Sequence, residues 1–131
     1  MENLESKVAL VIGGTSGIGY ATSKALLAGG ATVHVVGRNT DKIDDAPNLI
    51  KHTANISNIA DVDALIAEID ALENLDYLVN ASGIFGPKPF LDHTMEDYNS
   101  YLDLNRGFFF ITQSAAKKMK DTNGGSIVNV G

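Results

Sequence analysis

A glycine-rich segment, residues 13–19, has the composition and position of a phosphate-binding turn. It follows the aliphatic run Val8–Ile12, typical of a strand buried on both faces, and precedes a helical pattern over residues 20–28. Glycines at such a turn leave backbone N–H groups uncovered, and the positive end of the helix dipole points to the same place. The alternative is a purely structural strand-to-helix turn. We favour a pyrophosphate site with contacts from Gly13, Thr15, Ser16, Gly17, Ile18 and Gly19.

The second expected strand, residues 31–36, is followed by Gly37 and Arg38. In a mononucleotide-binding βαβ unit this position contacts the adenosine ribose, and an acidic side chain there suits the unphosphorylated ribose of NAD. A guanidinium instead pairs with a 2′-phosphate through charge-assisted hydrogen bonds. Arg38 therefore favours NADP(H) over NAD(H), with the hydroxyls of Thr15 and Ser16 available to the same phosphate. The alternative is that Arg38 is a solvated loop charge.

Composition narrows the remaining function classes. The 131 residues carry a formal net charge of −6, which argues against a nucleic-acid surface. There is no cysteine, and the three histidines lack metal-ligand spacing, so we predict no disulfide or metal site and interpret the histidines as core or solvated residues. No apolar run approaches the ~18 residues of a membrane span, and the first five residues lack the basic start of an export signal. We expect a cytoplasmic protein.

Strand-like and helix-like patterns alternate along the rest of the chain. A helix is expected after a Ser57 cap, and Thr94 with Asp97 resembles a capping box that opens a long helix to about Lys120. Such alternation predicts an α/β fold, a doubly wound parallel sheet with helices on both faces that ends after the fifth strand. The predicted strands are residues 8–12, 31–36, 49–54, 75–79 and 126–130.

Within the long helix, one set of residues recurs at three- and four-residue steps and predicts a buried stripe. Asn105 belongs to this stripe, where its amide needs hydrogen-bond partners; from the residues alone a structural amide is the favoured interpretation. Gly107 costs about 1 kcal/mol relative to Ala inside a helix, which indicates a close backbone approach. The stripe consists of Tyr98, Leu102, Asn105, Phe109, Thr112, Ala116 and Met119.

Taken together, these segments resemble the short-chain dehydrogenase/reductase family over essentially the whole chain. The family's Thr-Gly-x-x-x-Gly-x-Gly turn corresponds to residues 12–19, with Ile12 in place of the threonine. Its Asn-Asn-Ala-Gly segment corresponds to residues 80–83, after which a loop is marked by Gly86, Pro87 and Pro89. The resemblance implies a Rossmann-type fold with further cofactor contacts from Asn55, Ile56 through its backbone, Asn80, Ala81 and Gly83.

The resemblance also assigns roles in catalysis. Asn105 looks like the asparagine of the family's Asn-Ser-Tyr-Lys tetrad. The serine would follow Gly131, and the family's Tyr-x-x-x-Lys pair belongs to the next helix. This spacing occurs here only in Tyr20 and Lys24, which we interpret as coincidence because they lie on the first helix.

The implied activity is hydride transfer between NADP(H) and an alcohol or carbonyl substrate. Residues 1–131 would form an incomplete NAD(P)-binding domain, the cofactor-binding half of a protein roughly twice as long, without activity of its own. A homo-oligomer is expected, as is common in the family. The alternatives are a non-catalytic dinucleotide-binding or regulatory module, and a subunit completed by another chain.

Overall fold

A parallel β-sheet flanked by helices forms the framework, in a computed structural model that describes residues 3–83 and 87–130. The elements are β1 (Val8–Ile12), α1 (Gly17–Ala28), β2 (Thr32–Gly37), β3 (Leu49–Thr53), α2 (Ile59–Ala71), β4 (Tyr77–Asn80), a short 3-10 helix (Phe90–Asp92), α3 (Met95–Asp121) and β5 (Ser126–Asn129). The described strands make a five-stranded sheet in the order β3-β2-β1-β4-β5, all paired in parallel. The predicted α/β fold is confirmed.

The two faces of the sheet are covered by different helices, which explains the unbroken aliphatic run of β1. Leu10 and Ile12 pack with residues of α2 and α3, whereas Ala9 and Val11 pack on the opposite face beside α1. Successive side chains of a strand point to opposite faces, so a strand covered on both sides needs apolar residues at every position. The sheet is therefore doubly wound, as predicted.

The start of α2 differs from the sequence prediction. Asn58, not Ser57, caps this helix: its side chain accepts a hydrogen bond from the Asp61 N–H at 3.0 Å. The backbone N–H of Ser57 donates instead to the Asn55 side-chain oxygen at 3.0 Å. Because this Asn turn occupies residues 55–57, the helix begins after it. The Ser57 cap is wrong by one residue.

The predicted capping box of α3 is confirmed. The Asp97 N–H donates to the Thr94 hydroxyl at 3.2 Å, and the Thr94 N–H donates to the Asp97 carboxylate at 2.8 Å. Two amides that the helix cannot satisfy internally thus find partners.

The predicted buried stripe of α3 is wrong except at Met119. Tyr98 and Phe109 are 58% and 63% exposed, and Asn105 is exposed as well. The long helix carries apolar residues on two sides, and periodicity alone does not show which side meets the sheet. The residues of α3 that are buried are Gly107, Ile111, Ser114, Ala115 and Met119.

Gly107 does mark a close approach, as predicted. A Cβ at this position would overlap the carbonyl oxygen of Ile56, so α3 rests directly on the segment that follows β3. A larger residue would push the helix away from the sheet.

Of the five described strands, β5 at the edge of the sheet is the least buried. All four residues of β5 are exposed, although the strand pairs regularly with β4 from Ser126 opposite Tyr77 to Asn129 opposite Asn80. The Ser126 N–H also donates to the Asp76 carbonyl at 2.8 Å. Backbone hydrogen bonds therefore hold β5 where apolar cover is thin.

The loop predicted after β4 is irregular at residues 81–83 and 87–89, and Gly86 lies outside the described residues. Across the described ranges, none of the helices combines the length and apolar character needed to cross a bilayer. In the same ranges no three His, Asp or Glu side chains converge as metal ligands.

Candidate functional site

The glycine turn lies where the carboxyl ends of β1 and β4 meet. From β1 the chain continues to β2 on one side of the sheet, while β4 lies on the other, so this is the topological switch point at which open α/β sheets bind ligands. The N–H groups of Gly13 and Gly14 donate to the Val36 carbonyl at 2.8 and 3.2 Å. A Cβ on Gly13 would lie 2.7 Å from the Ser82 nitrogen. The turn is thus fixed between β2 and the segment after β4.

The outer face of the turn is open. Ser16, Gly17 and Ile18 are exposed, and a Cβ on Gly17 would lie more than 4 Å from every described residue outside the turn and its helix. The Ser16 carbonyl accepts the first helical hydrogen bond, from the Tyr20 N–H at 3.1 Å, so the amides of residues 17–19 precede the helical ladder. Amides that precede the helical ladder at a helix amino terminus suit an anionic ligand.

Gly19 has a packing role within the same turn. A Cβ at this position would overlap the Gly13 carbonyl oxygen. The first and last glycines of the turn are therefore packed against each other, and only glycine allows this approach.

Thr15 packs against Gly37 at the end of β2, and Arg38 follows directly. Thr15 is only 6% exposed, and its side chain covers Gly37, where a Cβ would lie 2.8 Å from the Thr15 methyl carbon. Thr15 thus braces the strand end, while Ser16 lies at the surface. Arg38 is exposed directly after Gly37, at the same edge as the glycine turn. This position is compatible with the predicted phosphate contact.

Asn55 and Ile56 follow β3 at this edge. The Asn55 N–H donates to the Asp61 carboxylate at 2.8 Å, and its side-chain oxygen accepts from Ser57, which leaves the side-chain NH₂ as its donor group. The Ile56 side chain is buried in the core, and its carbonyl oxygen lies against Gly107 of α3, so the backbone contact of Ile56 with a cofactor stays a prediction. The structure brings these residues to the sheet edge that also carries Arg38.

Asn80 ends β4 and joins three elements. Its side-chain NH₂ donates to the Thr112 hydroxyl of α3 at 3.1 Å and to the Asn129 side-chain oxygen of β5 at 2.7 Å. Asn80 is 5% exposed, and its side-chain oxygen is buried with no hydrogen-bond partner among the described residues. A buried acceptor of this kind calls for a donor from water or a ligand. Next along the chain, the Ala81 N–H donates to the Ile12 carbonyl at 2.9 Å.

A cleft of about 540 Å³ lies between α3 and β5. It brings together Asn80 and Asn105, two residues 25 positions apart to which the family resemblance assigns roles. Asn105 is thus an exposed amide at a cleft, not part of a buried stripe. The other lining residues are Phe108, Phe109, Thr112, Gln113, Ala116, Asn129 and Val130.

Sequence reasoning missed Asn129. A lone polar residue near the end of an apolar strand was the available signal, but its partner depends on strand order and register. Gly83 is exposed, and a Cβ there would meet no atom of the described residues beyond its chain neighbours within 4 Å, so its cofactor contact stays a prediction.

Tyr20 and Lys24 lie away from this cleft. Tyr20 packs against the core on the α1 face of the sheet, and the Lys24 ammonium lies 4.6 Å from the centroid of its ring. This pair is a local cation–π contact within one helix.

The strand order and the open glycine turn at the switch point define a Rossmann-type α/β protein. The family model described as short chain dehydrogenase matches residues 7–131. The chain therefore belongs to the short-chain dehydrogenase/reductase family, whose members bind a nicotinamide dinucleotide.

Relatives with described activities are dehydrogenases and reductases. The chain is 33% identical to a 3alpha-hydroxysteroid dehydrogenase of Mediterraneibacter gnavus, matching 96% of this chain and 55% of that protein. It is 35% identical to a 3-oxoacyl-[acyl-carrier-protein] reductase of Synechocystis sp., matching 99% of this chain and 57% of the reductase. The chain thus spans between half and two thirds of the length of these relatives.

Solved structures agree with the fold. A short chain dehydrogenase/reductase family protein superimposes with a TM-score of 0.87 at 32% identity, over 97% of this chain and 55% of the other. A short chain dehydrogenase from Leptospira borgpetersenii with bound NAD+ gives a TM-score of 0.85 at 25% identity, over 95% of this chain and 51% of that one.

Proposed function

We propose that this chain is the cofactor-binding half of an NADP(H)-dependent oxidoreductase that acts on an alcohol or carbonyl substrate. The observation that carries the proposal is the open glycine turn at the switch point, with the exposed Arg38 at the same sheet edge. Gly13 and Gly19 permit backbone packing that a Cβ would block, and Ser16, Gly17 and Ile18 between them are exposed to solvent.

Each group has a role in binding. The amides of residues 17–19 donate to the pyrophosphate, and Arg38 pairs with the 2′-phosphate. The Asn55 side-chain NH₂ and the Ile56 backbone serve the adenine, and residues Asn80, Ala81 and Gly83 border the nicotinamide side. When bound, the dinucleotide supplies or accepts the hydride. Asn105 orients a water at the cleft, through which protons reach the catalytic groups.

The tyrosine and lysine of the reaction come from residues other than Tyr20 and Lys24. That pair packs on the α1 face, whereas Asn105 lies at the cleft between α3 and β5. We propose that the 131 residues bind cofactor without turnover. A further segment, about as long as the part of the relatives that this chain does not match, would complete the enzyme.

Charge reversal at Arg38 tests the cofactor assignment. Arg38→Asp should weaken NADP+ binding by about 1–3 kcal/mol, roughly 5- to 150-fold in Kd, because a charge-assisted hydrogen bond is replaced by repulsion. Isothermal titration calorimetry with NADP+ and NAD+ gives both affinities, and NAD+ binding should change little.

Lys42→Asp is the matched control, since it makes the same charge change at an exposed position four residues further along. It should leave NADP+ affinity near that of the wild type. Unchanged NADP+ affinity in Arg38→Asp would contradict the 2′-phosphate assignment. Equal losses of NADP+ affinity in both variants would also contradict it, because they would indicate a general effect of net charge.

A further inference from the structure

Two histidines form a direct contact between β2 and the edge strand β3. The His34 Nδ1 and His52 Nε2 atoms lie 2.9 Å apart, within hydrogen-bond distance. Their rings are stacked with centroids 5.2 Å apart. His52 lies opposite Val36 in the β2–β3 register, so the pair is diagonal across the two strands. The proposed cofactor site uses neither side chain.

This hydrogen bond limits how many protons the pair can hold. One of the two facing nitrogens must carry a hydrogen and the other must offer a lone pair. A single added proton elsewhere on the rings keeps that arrangement. When both rings are imidazolium, both facing nitrogens are donors, and two positive charges adjoin each other. The doubly protonated pair therefore cannot keep the contact.

The surroundings oppose protonation. Burial lowers the pKa of His34, His52 lowers it further, and the Glu68 carboxylate of α2 raises it in part. Burial also lowers the pKa of His52, again partly offset by Glu68. One carboxylate thus faces two imidazoles. Lys51 belongs to the opposite face, where its ammonium bonds the Ile43 carbonyl and the Asp45 carboxylate.

The position of the pair links it to the ends of two strands. Among the described strands β3 lies at the edge of the sheet, paired only with β2. β2 leads to Arg38, and β3 ends two residues before Asn55. A contact that holds these strands together also sets the spacing of the two segments assigned to the adenosine end.

We propose that the His34–His52 pair is an acid-sensitive contact between β3 and β2. The contact breaks, and β3 separates locally from β2, when both rings become protonated. Its consequence for cofactor affinity rests on the proposed function; the opening of β3 does not. In the unfolded chain both imidazoles titrate near their ordinary pKa of 6.5. Below that pH the opened chain binds more protons than the folded one. The histidine contact therefore stabilises the β2–β3 pairing at neutral pH, and this stabilisation is lost as the pH falls.

Hydrogen–deuterium exchange of the full chain tests the opening directly. Protection factors of β3 (Leu49–Thr53) are compared with those of the buried β1 (Val8–Ile12) at about pH 7.5 and pH 5, after correction for intrinsic exchange. Between these values, wild-type β3 should lose about fivefold to tenfold more protection than β1, the loss expected for one part-buried hydrogen bond.

Uncharged replacements supply the decisive variants. His52→Gln places an amide near the position of Nε2, and His34→Asn places one near Nδ1, so each retains hydrogen bonding without titrating. Either variant should abolish the acid-specific loss at β3; if one fails to fold, the other gives the same reading. His93→Gln removes the third histidine, which is exposed and bonds the Pro89 carbonyl, and should behave as wild type. Equal acid loss at β3 in wild type and in either folded replacement overturns the proposal, as does no loss in wild type.

Calorimetry with NADP+ separates this inference from the proposed function. As the pH falls from about 7.5 to 5, the Kd of wild type should rise more than that of His52→Gln, by at most about fivefold to tenfold, because affinity falls only with the fraction of chains in which β3 has opened. If NADP+ binds at neither pH, the proposed function fails while the exchange result still decides the fate of the histidine pair.

Discussion

The β1 side of the sheet and the β5 side differ in how far their own residues cover them. In β1 the last four residues are at most 1% exposed, with helices on both faces. In β5 every residue is exposed, although the strand pairs regularly with β4 and Asn129 bonds Asn80. Backbone pairing and polar contacts thus fix where a strand lies, whereas apolar cover determines how much it stabilises.

The long helix α3 spans both situations. Its Gly107 and Ile111 side packs on the sheet, and its Phe109 side lies beside the open cleft. The well-covered β1 side of the sheet carries the glycine turn, and Asn105 lies near the exposed β5 side. Cofactor binding and the chemistry assigned to Asn105 therefore depend on parts of the fold with unequal support.

The largest expected effect lies in the glycine turn. Gly19→Ala should lower the free energy of unfolding by about 3 kcal/mol, because the added methyl overlaps the fixed Gly13 carbonyl. Urea unfolding followed by circular dichroism measures it. Gly83→Ala is the control, since a Cβ there meets no atom of the described residues beyond its chain neighbours within 4 Å, and it should change stability by less than about 0.5 kcal/mol. Equal effects would show that the turn relaxes freely.

A matched pair of valines measures the difference between the two sides of the sheet. Val79 and Val128 lie opposite each other in the β4–β5 register but are 8% and 53% exposed. Val79→Ala should cost about 2 kcal/mol through lost burial and cavity formation. Val128→Ala should cost less than about 1 kcal/mol. Equal losses in urea unfolding would mean that β5 is covered in solution, and the comparison would fail.

The smallest expected effect concerns the amino terminus of α3. The Lys88 ammonium, 2.7 Å away, and the Thr94 N–H lower the pKa of Asp97 to about 2. The carboxylate therefore stabilises the folded chain above its ordinary pKa of 3.8, and this contribution is lost as the pH falls through about 2. NMR titration of the carboxyl carbon should show the lowered pKa, with salt weakening the effect.

Asp97→Asn should remove this part of the acid dependence of unfolding, whereas Asp92→Asn, at an exposed carboxylate of the preceding 3-10 helix, should leave it in place. Titration of Asp97 at the ordinary value would rule out the proposed capping contribution.

Local patterns were sufficient for the elements and for the glycine turn. The order of strands and helices follows from periodicity and glycine placement, and the Thr94 capping box involves residues three apart. Asn58 displaced Ser57 as the cap of α2 because both residue types can cap, and the turn made by Asn55 decided between them. Such choices depend on backbone geometry that composition does not encode.

Contacts between distant residues were beyond sequence reasoning. The sidedness of α3 depends on which of its two apolar faces meets the sheet, and the Ile56 carbonyl against Gly107 resolves it. Asn80 and Asn129 meet only because β4 and β5 are neighbours in this register. The His34–His52 contact likewise depends on strand order.

The Asn80–Asn129 bond also restricts how the sheet can grow. The outer edge of β5 offers backbone groups to any further strand, as all uncovered sheet edges do. A one-residue slip of β5 would separate the two amides and turn its side chains to the opposite faces. The register of β5 is therefore fixed before any further strand pairs with it, and β5 sets the register of that strand.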